Sequence, residues 1–83
     1  MRKNELIQYI KLGREIEFSY NNRSLFLGPQ YDQNHCFLQY YIYDNASKTI
    51  IVAGPIEDIL DFEFASHVSL RNNTDLFNFD YIL

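Results

Sequence analysis

The spacing of hydrophobic and polar positions changes period along the chain, and each change marks an element. Over residues 4–12, NELIQYIKL, the positions Leu6, Ile7 and Ile10 fall on one helical face with Gln8 and Lys11 opposite. Asn4 before the apolar stripe and Gly13 after it are suitable N-cap and C′ residues, which predicts a helix of about two turns. From Arg14 the period drops to two. Ile16, Phe18 and Tyr20 alternate with Glu15, Glu17 and Ser19, the pattern of a half-buried strand. Asn21-Asn22 follows, and asparagine tolerates the positive φ of a two-residue type I′ turn. Such a turn pairs Tyr20 with Arg23, Phe18 with Leu25 and Ile16 with Leu27, so both strands direct their apolar residues to the same face. Gly28-Pro29 ends the second strand, since proline cannot donate to a ladder.

Residues 30–34 are predicted as a loop, 35–43 (HCFLQYYIY) as a third strand and 48–53 (KTIIVA) as a fourth. A turn centred on Asn45-Ala46 would pair Ile42 with Thr49, Tyr40 with Ile51 and Leu38 with Ala53. On the other face it would pair Tyr41 with Ile50, Gln39 with Val52 and Phe37 with Gly54. In this hairpin both faces are apolar. Gly54-Pro55 then opens a short helix from 55 to about 61, with proline at its first position and Glu57 and Asp58 at the positive end of its dipole. Residues 62–83 lack a clear period, apart from Phe77, Phe79 and Tyr81 at period two near the end, and are expected to form a packed, partly extended tail. The expected fold is therefore a single α+β domain over 1–83: short N-terminal helix, four-stranded antiparallel meander, short second helix and tail.

Charge divides the chain. The 83 residues carry a net −4. Residues 1–23 are net +2, 24–53 net −1 and 54–83 net −5, the last from Glu57, Asp58, Asp61, Glu63, Asp75 and Asp80 against Arg71. An acidic C-terminal third disfavours direct contact with phosphate backbones and suits a basic protein surface. No apolar run reaches the length of a membrane span and no signal-peptide core is evident, so membrane insertion is not expected and the cytoplasm is the expected location.

Candidate chemistry is sparse. One cysteine, Cys36, permits no internal disulfide. His35 and His67 are the only histidines, and a strand would point His35 and Cys36 to opposite faces, leaving Cys36 as a small apolar filler or, through the tertiary fold, a neighbour of His67. Asp58 and Asp61, with Glu57, share a helical face but have no obvious pKa-shifting partner. Glu15 and Glu17 lie across from Phe26 and Gly28 as outward charges and, secondarily, as contact residues. Three glycines, at 13, 28 and 54, make no phosphate-binding loop, and the Asn-x-Ser/Thr triplets at 22, 45 and 72 have no meaning without secretion. No catalytic residue, metal site or cofactor is expected, and an enzyme or ligand pocket is disfavoured.

The aromatic content, seven Tyr and seven Phe making up 17% of the chain, is the unusual feature. Two short helices can cover only one sheet face, and tyrosine suits either water or a partner. Tyr41, Tyr43 and Phe37 on the far side of the third strand are the expected partner-binding anchors, with Asp58, Asp61 and Glu63 as an acidic rim. The segments IKLGREIEFSYN (10–21), GPIEDIL (54–60) and FDYIL (79–83) resemble the opening, second helix and end of a small uncharacterised domain of Firmicutes and their mobile elements, departing from it at Asn21-Asn22, where Asn-Gly is usual. That resemblance implies the helix–meander–helix fold and no assigned activity. Together with the charge it implies a non-catalytic protein-binding role, such as a phage or mobile-element inhibitor of a basic, nucleic-acid-binding host defence nuclease. The alternative is a structural or regulatory homodimer.

Overall fold

The computed structural model describes residues 1–83. Helix α1 (Lys3–Lys11) is followed by strands β1 (Ile16–Tyr20), β2 (Arg23–Tyr31), β3 (Phe37–Asp44) and β4 (Thr49–Gly54). Helix α2 (Ile56–Asp61), a small hairpin of β5 (Glu63–Ala65) and β6 (Val68–Ser69), a 3₁₀ turn (Thr74–Leu76) and strand β7 (Asn78–Ile82) complete the chain. The expected α+β architecture is present.

The first hairpin has the expected register, Ile16 opposite Leu27, Phe18 opposite Leu25 and Tyr20 opposite Arg23. Asn21 and Asn22 have φ of 50° and 65°, as a type I′ turn requires. Helix α1 begins two residues earlier than expected. Its N-cap is Arg2 rather than Asn4, and the Arg2 amide donates to the Glu5 carboxylate at 3.4 Å. Gly13 is the C′ residue with φ 76°, and the amides of Gly13 and Arg14 return to the carbonyls of Ile10 and Tyr9 in a Schellman arrangement. Pro55 is the N-cap of α2 rather than its first helical residue.

Three expectations are corrected. Strand β2 does not stop at Gly28-Pro29 but runs on to Tyr31, pairing Pro29 with Tyr40. Pro29 lies beyond Ile16, where β1 has already ended, so its missing N–H deprives no neighbour. The turn after β3 is a four-residue loop, Asn45–Lys48, rather than a two-residue one. The Asp44 carboxylate accepts the amides of Ala46 and Ser47, and Lys48 closes the loop at φ 58°. The β3–β4 register is therefore displaced: Asp44 pairs with Thr49, Tyr43 with Ile50 and, after a bulge at Ile51, Ile42 with Val52 and Tyr41 with Ala53. Finally, the tail contributes a fifth strand. β7 adds antiparallel to β1, giving the sheet order β4-β3-β2-β1-β7.

That topology decides which face is covered. β4 and β7 are opposite edges, so residues 55–77 must cross the whole sheet to connect them. The crossing carries α2 and the β5–β6 hairpin over the face on which α1 lies, and the core sits between. It comprises Leu6 and Ile10 of α1, Ile16, Phe18, Leu25, Leu27 and Ile42 of the sheet, Ile59 and Leu60 of α2, with Leu70 and Phe77. Phe18 is its centre, with the rings of Phe64, Phe77 and Phe79 at centroid distances of 6.1, 6.0 and 5.9 Å. The remaining connections are turns. Nothing within residues 1–83 lies over the opposite face.

Candidate functional site: the open face of the sheet

Side-chain alternation and the observed registers place one cross-strand row on the uncovered face. It reads Tyr81 (β7), Glu17 (β1), Phe26 (β2), Tyr43 (β3) and Ile50 (β4), one residue from every strand of the sheet. Beside it runs a second row in which Gly28 pairs with Tyr41 and Tyr41 with Ala53, with Glu15 at its β1 end. A bulge at Asp80 makes Tyr81 part of this face. Phe79 pairs with Phe18 and points to the core, whereas Tyr81 pairs with Glu17 and is 60% exposed. At the other end Ile50 is 51% exposed, and between them Phe26, Tyr41 and Tyr43 are half-buried by one another and by their strands.

The centre of the face is shaped by a glycine. The Phe26 ring lies back over Gly28, where a Cβ would come within 2.9 Å of it, and the same position is 3.8 Å from the Glu15 side chain. Phe26 and Tyr41 are neighbours at a centroid distance of 5.9 Å. Burial, and then the Glu15 charge, push the Tyr41 phenol above its ordinary pKa, which places the Glu15 carboxylate within electrostatic reach of that ring.

The expected site residues divide. Tyr41 and Tyr43 lie together on the open face. Phe37 does not join them. A bulge at Leu38 pairs Phe37 with Tyr31 and turns its ring to Tyr40, at 4.8 Å, on the core side of the sheet end. The bulge inverts the parity that the simple alternation of β3 assigns. Asp58, Asp61 and Glu63 belong to α2 and β5, in the layer on the covered face, and so form no rim around the tyrosines. Asp61 and Glu57 are both held by the Arg71 guanidinium, whose pKa they raise, and this ties α2 to the segment after β6. Asp58 folds over Gly54, which has φ 153° and no Cβ to obstruct the carboxylate. The carboxylates that do border the aromatic rows are Glu15 and Glu17.

Cys36 is exposed rather than a core filler, and sits in the turn whose amides at Asn34 and Cys36 are held by the Asp32 carboxylate. His35 and His67 occupy tight-turn positions at φ 62° and 64°. No three His, Cys, Asp or Glu side chains converge in a metal-binding arrangement, and the surface has no pocket. No helix is long and apolar enough to cross a membrane. No family model, curated protein or solved structure matches this chain.

Proposed function

We propose that this chain is a non-catalytic protein-interaction domain whose binding site is the open face of its sheet. The observation that carries this reading is the continuous row Tyr81–Glu17–Phe26–Tyr43–Ile50, which spans five strands and lies beneath no other part of the chain. Interfaces concentrate aromatic side chains at a dry centre, and tyrosine serves there because one end is apolar and the other hydrogen-bonds. A basic cytoplasmic enzyme, such as a nuclease confronted by a mobile element, is the partner suggested by the acidic balance and the resemblance of the three segments. Self-association is the competing use of the same surface.

Affinity capture from the natural host tests this reading with wild type, a Tyr41→Ala/Tyr43→Ala variant and an Asp58→Asn/Glu63→Gln variant. The first substitution pair should abolish retention of a partner that the second leaves in place. Retention indifferent to the tyrosines contradicts the proposal.

A further inference from the structure

The charge on the open face is of one sign, and this bears on the chemistry of its occupant. Along the two rows the only ionisable acids or bases besides the tyrosine phenols are Glu15 and Glu17, and no Lys or Arg occupies a position in either row. Both carboxylates stand beside rings: Glu17 between Tyr81 and Phe26, Glu15 beside Phe26 and Tyr41. Neither has an ion-pair partner, whereas Asp44, Glu57 and Asp61 do.

Resting on the reading above, we infer that this face takes an arginine-bearing segment of a partner protein, its guanidinium seated over Phe26 and Tyr41 and paired with Glu15 and Glu17. A guanidinium is planar, stacks on aromatic faces and donates in a fork that matches a carboxylate, so it satisfies both features of the site at once. An ammonium satisfies the charge but not the plane. The raised pKa of the Tyr41 phenol agrees with this placement, since it marks an uncompensated negative charge close to a partly desolvated ring.

Charge separates this occupant from a second copy. A second copy laid face to face would bring the same two glutamates and no cation. Both edge strands carry bulges, at Ile51 and Asp80, which oppose edge-to-edge addition of another chain.

The test titrates the intact chain with a Gly/Ser peptide carrying arginine at alternate positions, and with its lysine and citrulline counterparts, while ring and amide resonances are followed. The arginine peptide should shift Phe26, Tyr41 and Tyr43, bind about tenfold more tightly than the citrulline peptide and lose that advantage in Glu15→Gln/Glu17→Gln, as expected for desolvated charge pairs. The lysine peptide should fall between. Equal binding of the arginine and citrulline peptides, or shifts confined to α2, overturns the inference. So does sedimentation of the free chain as a dimer that buries the face. With the natural partner, loss of binding in Tyr41→Ala/Tyr43→Ala but full binding in the folded glutamine variant overturns the arginine inference alone. Full binding in the tyrosine variant overturns the interaction face itself.

Discussion

At the scale of single residues, the aromatic side chains separate into two populations by the parity of their positions. Phe18 is 1% exposed and is enclosed by Phe64, Phe77 and Phe79, so Phe18→Ala should cost about 3–5 kcal/mol in chemical denaturation, the range for a buried phenylalanine. A loss below about 1 kcal/mol would place that ring outside the core. Tyr41, on the other face, is shifted upward by its own burial and then by a neighbouring carboxylate. Glu15→Gln should lower its pKa, since a nearby carboxylate disfavours the phenolate, but not to the ordinary value, because burial is the larger cause. A carbon-13 titration of the Tyr41 ring reads this directly. Asp44 is the buried charge of the molecule. Its carboxylate accepts from Arg23 at 3.0 Å and from two turn amides, which hold its pKa below the usual carboxylate range. A lowered folded pKa stabilises the native state fully above the ordinary value of about 4 and loses that contribution as pH falls through the folded value. Asp44→Asn should therefore flatten the acid limb of the stability profile while lowering the plateau near neutral pH.

At the scale of elements, local rules read the chain well where turn chemistry and alternation agree, and less well where a side chain or a bulge intervenes. The β1–β2 hairpin was legible because Asn21-Asn22 and two clean alternations specify one register. Its turn gives a sharp prediction. Asn22→Gly should stabilise by about 0.5 kcal/mol, since asparagine still bears some of the left-handed penalty, and Asn22→Val should destabilise by more than about 1 kcal/mol. The β3–β4 register was not legible, because the loop length is set by the Asp44 carboxylate gathering the amides of Ala46 and Ser47, a side-chain device invisible to residue spacing. Phe37 and Tyr81 depart from simple alternation for a common reason. Each lies just past a bulge, where the period-two rule changes sign. The end of the chain had a signal, Phe77, Phe79 and Tyr81 at period two, but the pairing of β7 with β1 joins strands separated by residues 21–77 and could not be seen locally.

At the scale of the whole molecule, the connection from one sheet edge to the other explains both the core and the site. Residues 55–77 cross on the α1 side, so the phenylalanines of the tail are spent on the core and the tyrosines of β3 are left outside. The placement of Tyr41 and Tyr43 on the uncovered face was legible from parity. The acidic rim was not, since placing Asp58, Asp61 and Glu63 requires knowing which face α2 covers. A consequence concerns charge. Screening at physiological salt acts over about 8 Å, and the acids of α2 and β5 lie a layer away from the aromatic row, so neutralising Asp58 and Glu63 should alter the association rate less than Glu15→Gln/Glu17→Gln does. Tyr41→Ala and Tyr43→Ala should each weaken partner binding by more than about 2 kcal/mol, chiefly through faster dissociation. The most direct test of the open face as binding site is photo-crosslinking in the natural host, with a photoreactive phenylalanine derivative at Tyr43 in one strain and at Asp58 in another. A discrete adduct to another protein from position 43 and none from position 58 is the predicted result. Adducts from position 58 alone would place the interface on the helical layer and contradict the account.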